Sequence, residues 1–352
     1  MKEYKVDSKK VENFLTEVNK STGMLEEDAR VSAELMVKTN LWGIDSHGLL
    51  RAGVYYDRLD KKIINPNAKL KTIKDLDGPV AILDGDAGLG YVVGKESVSI
   101  AIEKAKKFGI SFVLVNNSNH FGAASLYTQM AVEAGLIGMT TTNVVPNIGM
   151  KGQVKPSTGN NPIALGFPMK DSFPFSLDIS MSAVSGGKLL LAAKNGQKIP
   201  TSWALTKEGD ETDDPNLGFA GFLLPMGMHK GWGMSLFIDV ITGLLANGPY
   251  MNNLKSMYKN PNDTSLSTHL FCCIDPTFFM SQEDYDEKIK DWEKMVHATP
   301  MKEEGARQII PGEMEYKKEQ ERLKNGIPIS EELYKDLEEI GKRCNVSFDI
   351  LK

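Results

Sequence analysis

VAILD (80–84), ESVSIAIEKAKKFG (96–109), ISFVLVN (110–116), AASLYTQMAVEAG (123–135) and IGMTTTNVV (137–145) alternate short runs of β-branched residues with stretches whose apolar residues recur at helical spacing. This alternation marks an α/β sheet region, because strands of period two and helices of period 3.6 bury their apolar faces against one another. The pattern continues through FSLDIS (175–180), the helical SGGKLLLAAKNG (185–196) and an apolar helix after Lys230, up to about Pro276. Between them the segment from Pro146 to Pro168, rich in Gly, Pro and Asn, reads as loop. Working outward, Ser8 precedes Val11, Phe14, Leu15 and Val18, and a second helix runs through Ala29, Val31, Leu35 and Met36 until Gly43 stops it. SHGLLRAGVYYDRL (46–59) suits a third helix up to about Lys62. At the far end EDYDEKIKDWEKMVH (283–297), EMEYKKEQERLKNG (313–326) and ISEELYKDLEEIGKRC (329–344) are charged and helical, so helices are expected both to open and to close the chain.

The chain has 352 residues, too many for one ordinary core, so two or three packed subdomains are expected. Apolar residues make up 41% and charged residues 25%, an ordinary globular balance. A net charge of -5 lacks the clustered Lys and Arg excess that a phosphate backbone requires, so no nucleic-acid partner is expected. Cysteines are odd in number, and Cys272 and Cys273 are adjacent, a poor geometry for a structural disulfide; a reducing, cytoplasmic setting fits best. GWGMSLFIDVITGLLANG (231–248) is the longest apolar run. Asp239 interrupts it and it falls short of the roughly 20 residues of a membrane span, so it reads as a buried helix.

Chemistry-bearing side chains recur at informative places. His47, Arg51 and Tyr55 stand four residues apart, so a helix opened by Ser46 projects all three from one face. Arg offers a planar fork for a carboxylate and His exchanges protons near neutrality, a pairing suited to a small acid; an exposed face whose Arg pairs with a carboxylate of the chain has the same spacing. His120 lies where a strand ends and a helix begins, a usual place for ligands of open sheets, although a lone His is also often a satisfied polar group. His229 and Lys230 precede an apolar helix, where free amides favour anions such as phosphate. His269 and His297 lie in polar or charged surroundings and attract no role. GLGYVVG (88–94) invites comparison with a dinucleotide fingerprint, but DGDA separates it from the preceding strand and the next strand ends in Asn116 and Asn117 without an acid; a Gly-rich turn entering a helix is the better account. Walker, HExxH and paired CxxC motifs are absent, and no metal site is expected.

At GIDSHGLLR (43–51), NNSNHFGAAS (116–125), GNNPIALGFP (159–168), LDIS (177–180) with IPTSWAL (199–205), and PMGMHKGWGMSL (225–236), the chain strongly resembles the second malate/L-lactate dehydrogenase family, which also holds ureidoglycolate and sulfolactate dehydrogenases and keto-acid reductases. The match runs from about residue 8 to the end. The resemblance implies an α/β fold with a mixed sheet, a non-Rossmann nucleotide-binding domain at 121–219, a sheet domain at 76–120 with 220–299, and a helical dimerisation domain formed by both termini, 1–75 with 300–352. It implies an NAD-dependent (or NADP-dependent) oxidoreductase of 2-hydroxy and 2-keto acids, most readily malate and oxaloacetate, with ureidoglycolate dehydrogenase or an L-lactate or other 2-keto acid reductase as alternatives. A small-molecule acid, a homodimer and no membrane complete the expected partners. By the same resemblance His120 and His47 occupy proton-transfer positions, Arg51 holds the substrate carboxylate with Ser46 and Tyr55 close by, and the cofactor meets Asp178, Ile179, Ser180, Lys230 and Thr299. The chain departs from the family at NVVP (143–146), where Val144 and Val145 replace polar side chains; lack of an acid at Val145 argues against ureidoglycolate. GNNP stands where many members have GTNP, which bears on the contacts of Asn160.

Overall fold

The computed structural model describes residues 3–352. In chain order the elements are β1 (Glu3–Val6), α1 (Ser8–Ser21), α2 (Glu26–Leu41), α3 (Ala52–Asp60), β2 (Lys71–Asp75), β3 (Val80–Asp84), α4 (Gly90–Phe108), β4 (Ile110–Ser118), α5 (Ser125–Glu133), β5 (Ile137–Thr142) and β6 (Ile163–Phe167). There follow β7 (Phe175–Ile179), α6 (Gly186–Lys194), β8 (Ala204–Leu205), α7 (Pro215–Ala220), β9 (Phe222–Leu223), α8 (His229–Asp239), β10 (Ser267–Ile274), α9 (Gln282–His297), α10 (Glu313–Asn325), β11 (Ile327–Ser330) and α11 (Glu331–Cys344).

Seven strands form one sheet in the order β2-β3-β4-β10-β5-β6-β7. Only β3 and β4 run parallel, joined by α4 as a crossover, and every other neighbour is antiparallel. The sheet is therefore mixed, as expected. Its centre is β4, β10 and β5, whose near-continuous runs of buried side chains follow from helices and loops covering both faces. The largest apolar cluster joins α1–α3, α4, α5, the sheet and α11, with Tyr91, Tyr127 and Phe271 fully buried. A second cluster gathers Ile148, Met181, Leu189, Ile199 and Ile238.

The structure corrects the sequence reading in three places. Helices do not alone open and close the chain: β1 pairs antiparallel with β11, and both are four-residue strands too short to register as a period. The loop expected from Pro146 to Pro168 ends earlier, since β6 begins at Ile163; Ala164 and Gly166 are buried against β5 and β7 while flanking Asn and Pro mask the alternation. The apolar run at 231–248 is α8 followed by a π-helical turn, Val240–Leu244, and it is only half buried. Ser235, Ile238, Asp239 and Thr242 face inward, whereas Phe237 is 56% and Leu244 48% exposed.

GLGYVVG is, as expected, the entrance to a helix, with Leu89 as N-cap of α4. Its glycines serve close packing. A Cβ on Gly90 would meet the backbone oxygens of Asn119 and His120 at 2.4 Å, and one on Gly94 the Tyr127 ring at 2.4 Å.

Candidate active site

Where α2 ends, Asn40 turns its side chain back on the following loop. Its Oδ1 accepts from the Leu49 amide (2.6 Å) and its Nδ2 donates to Asp45 (2.6 Å). Arg322 of α10 clamps the same loop, donating to Asp45 at 2.5 and 3.0 Å and to the Asn40 carbonyl at 2.5 Å. A Cβ on Gly48 would lie 1.9 Å from Asn40 Oδ1, so the bare backbone is required there. This contact breaks the single helix expected from Ser46 into two 3₁₀ turns, Asp45–His47 and Leu49–Arg51, before α3. His47, Arg51 and Tyr55 nevertheless converge.

His120 comes from the opposite direction, two residues beyond β4. Phe121, buried behind it, stacks on His269 (4.4 Å between ring centres) and on Tyr127 (4.9 Å), and Tyr127 donates its hydroxyl hydrogen to the Phe121 carbonyl at 2.6 Å. These contacts pin the turn. His120 Nδ1 lies 2.5 Å from the Tyr55 hydroxyl and 3.3 Å from the Gly122 amide, which leaves Nε2 as the ring nitrogen free to meet a substrate. The His120 ring lies near-parallel to that of His47 at 5.6 Å. His47 Nδ1 is 2.8 Å from Ser46 Oγ, and Tyr91 of α4, edge-on to Tyr55, donates to the His47 carbonyl at 3.0 Å. Two buried tyrosines thus hold the His120 ring and the His47 backbone.

Burial, reinforced by the Arg51 charge, lowers His47 to about 4. Burial foremost, then His47 and Arg51, puts His120 well below the ordinary histidine value. Both rings are neutral at pH 7. Arg51 donates through Nε to the Ser46 carbonyl (2.8 Å) and through Nη1 to the Tyr258 hydroxyl, and its guanidinium lies over the Tyr258 ring at 5.6 Å. Among the described residues no carboxylate forms an ion pair with it, so the arrangement in which Arg51 merely pairs with an acid of its own chain does not occur. His269, expected in polar surroundings, is instead fully buried in the sheet, bonded to Thr142 (2.7 Å) and Ser118 (2.9 Å), and burial lowers it to about 3.

A cleft of about 520 Å³ opens over these groups, within the range of small-molecule sites. Ser46, His47, Arg51 and His120 line one side, and Val144, Val145, Asn147, Asn160, Asp178 and Ser180 line another. Asp178 accepts from the Ser125 amide (2.9 Å) and so caps the start of α5; although its side chain is exposed to the cleft, enclosure by the walls raises its carboxyl above the ordinary value. Asn160 accepts from Asn147 (3.0 Å), while Asn161 accepts from the Val144 amide (2.7 Å) and fixes the loop. Ser125 Oγ and Asn147 Oδ1, both on the cleft wall, are buried without a hydrogen-bond partner.

Not every residue named from sequence reaches the cleft. Tyr55 stands behind His120 as its support rather than on the lining, and Ile179 packs against the second apolar cluster. Lys230, expected just before the helix, is exposed in the first turn of α8, which begins at His229, and Thr299 is exposed just beyond α9. Conversely, Lys255 and Tyr258 line the cleft and were not foreseen. Their segment NNLKSMYKN (252–260) has no periodicity and carries no motif, and its place beside Arg51 depends wholly on tertiary folding.

Comparison with known proteins agrees with this fold. The family model described as malate/L-lactate dehydrogenase matches residues 6–338. Malate dehydrogenase of Pyrococcus horikoshii is 37% identical over 95% of this chain and 94% of its own. Two solved structures superpose with a TM-score of 0.91: sulfolactate dehydrogenase from Methanocaldococcus jannaschii (33% identity, 97% of this chain and 98% of that one) and malate dehydrogenase from Entamoeba histolytica (29% identity, 99% and 100%).

Proposed function

The chain belongs to the malate/L-lactate dehydrogenase family and is an NAD(P)-dependent dehydrogenase acting on a CH–OH group; from that premise we propose malate and oxaloacetate as its substrate pair, NAD, with NADP as the alternative, as its carrier, and His120 as its principal proton-transfer group. The observation that carries the assignment of roles is the convergence of an Arg51 without a carboxylate partner and two neutral imidazoles in one cleft.

The residues of the cleft suit a nicotinamide nucleotide. Ser125 Oγ and Asn147 Oδ1 lack partners that an amide or ribose hydroxyl supplies, and Asp178 and Ser180 offer acceptors for hydroxyls beside them. Ile179 contributes backbone and packing, and Lys230 and Thr299 lie outside this cleft as contacts for more distant parts of the nucleotide. When bound, the nicotinamide accepts or gives the hydride.

The chain's own groups do the rest. Arg51 holds the substrate carboxylate through its planar fork and so fixes the neighbouring carbon next to the histidines. In oxidation the His120 tautomer that carries its hydrogen on Nδ1, donating it to the Tyr55 oxygen, takes the hydroxyl proton at Nε2 while the C2 hydrogen leaves with its electron pair, turning the alcohol into a ketone. In reduction the same nitrogen returns the proton to the oxygen as negative charge grows there. The Tyr55 hydroxyl, at 2.5 Å the nearer partner of Nδ1, holds the ring through both states, and His47 stacked beside it is the second proton-transfer candidate. Ser46 orients His47. Val144 and Val145 place two apolar side chains, with no acid at either position, on the facing wall, which favours malate or another plain 2-hydroxy acid over ureidoglycolate.

A homodimer, through the uncovered face of α8 rather than through the helical domain of both termini that the resemblance implied, and a cytoplasmic setting, suited to three free cysteines, belong to the same proposal. So does the division into 1–75 with 300–352, 76–120 with 220–299, and 121–219; the second apolar cluster, around Ile148 and Leu189, draws mainly on 121–219 and also takes Leu223 and Ile238 from 220–299. Among the described residues no helix is long and apolar enough to cross a membrane. The direct test is cofactor absorbance with oxaloacetate, pyruvate, 2-ketoglutarate and phenylpyruvate against NADH and NADPH. His120→Ala is expected to lose roughly 10²- to 10⁴-fold in kcat. Parental rates in both His120→Ala and His47→Ala with every acid would remove the mechanism.

A further inference from the structure

The charged lining of the cleft is divided. Among the described residues Asp178 of β7 and Glu315 of α10 are its acids, while Arg51 and Lys255 are its cations, on the turn before α3 and on the loop after α8. Tyr258, whose hydroxyl accepts from Arg51, follows Lys255 by three residues, so even an extended backbone keeps the two within about 11 Å.

Lys255 is held in place although its side chain is exposed. Leu254 before it is buried, and its own amide donates to the Ser265 carbonyl at 3.4 Å. The turn after it is knitted by the Ser256 amide donating to Asn260 (3.1 Å) and by Ser256 Oγ accepting from the Tyr258 and Lys259 amides (3.2 Å each). Lys259, on the far side of the turn, does not line the cleft. No carboxylate among the described residues pairs with the Lys255 ammonium.

Building on the dehydrogenase reading above, we propose that Lys255 is the specificity-determining residue that receives a second anionic group of the substrate, a carboxylate or sulfonate, while Arg51 holds the carboxylate beside the reacting carbon. A monoanion such as pyruvate leaves Lys255 hydrated and gains nothing from it. A dianion exchanges that hydration for a charge-assisted contact and bridges two fixed cations. The carboxylate and sulfonate share this chemistry and differ in size and in the number of acceptor oxygens.

The test compares oxaloacetate, 3-sulfopyruvate and pyruvate in the wild type, Lys255→Met, Lys255→Arg and Lys259→Met. Lys255→Met is expected to lower the dianion-to-pyruvate ratio of kcat/KM by roughly ten- to a hundredfold, chiefly through KM of the dianion. Lys255→Arg restores most of the ratio, Lys259→Met keeps it at the wild-type value, and the larger ratio in the wild type tells which of the two dianions is preferred. A ratio within twofold of wild type in Lys255→Met, or a wild type that prefers pyruvate to both dianions, overturns the assignment while leaving the dehydrogenase reading intact. Calorimetric titration with L-malate and L-lactate separates the two ideas if no 2-keto acid is turned over. A malate advantage present in the wild type and lost in Lys255→Met upholds Lys255 while the catalytic reading fails; no such advantage refutes Lys255 as well.

Discussion

Tyr55 decides how well His120 can work, because a proton-transfer ring is effective only when a third group orients it. Phenylalanine at this position keeps the buried ring and removes only the hydroxyl at 2.5 Å from Nδ1. Tyr55→Phe is therefore expected to lower kcat about tenfold, a hydrogen bond's worth, with KM little changed; steady-state kinetics showing a parental kcat would disprove the orienting role. The acidity of the site follows from the same burial. A histidine whose pKa is depressed stays neutral, and hence a competent base, as pH falls through the ordinary value of about 6.5. Oxidation should persist through that pH and fail only near 4, where His47 takes up its proton; an acid limb of kcat/KM centred at the ordinary value refutes the enclosed site. At this scale much of the site could be anticipated. His47, Arg51 and Tyr55 share a spacing of four, and His120 announces a strand end, so both signals are local. Lys255 and Tyr258 gave none, since nothing in an aperiodic loop records which distant turn it will lie against.

Helix α4 shows how an element far from the chemistry sets its geometry. Gly94 lets the helix approach Tyr127, and Tyr127 in turn holds the Phe121 carbonyl beside His120. Gly94→Ala places a methyl group 2.4 Å from the Tyr127 ring, an overpacking that costs about 1–3 kcal/mol. We expect a lower urea midpoint together with reduced kcat, measured on the same preparation; an unchanged midpoint shows that the helix can move aside. The glycines were visible in the sequence, and the missing acid and the intervening DGDA turned them from a phosphate loop into a turn entering a helix, whereas their role in close packing shows only in the fold. Strands with runs of β-branched residues, such as β4, were equally plain. β1, β11 and β6 were not, because four or five residues carry too little period to distinguish them from loop.

For the whole molecule the uncovered side of α8 is an apolar surface that the fold itself does not cover. Met234, Phe237, Val240, Leu244 and Leu245 are exposed along one run, more apolar area than an isolated soluble chain ordinarily leaves to water. A second copy covering it explains why the run looked like buried helix: an apolar pattern is the same whether its partner is the chain's own core or another subunit. Phe237→Asp should convert a dimer to a monomer in sedimentation velocity, and a wild type that already sediments as a monomer would sink the idea. The pairing of β1 with β11 has a consequence of another kind. On a ribosome adding 5–20 residues per second, β1 emerges on the order of tens of seconds before its mate exists. During that wait Val6 lacks the β11 pairing that covers it in the fold, so this strand is secured only after α11's neighbour has been made.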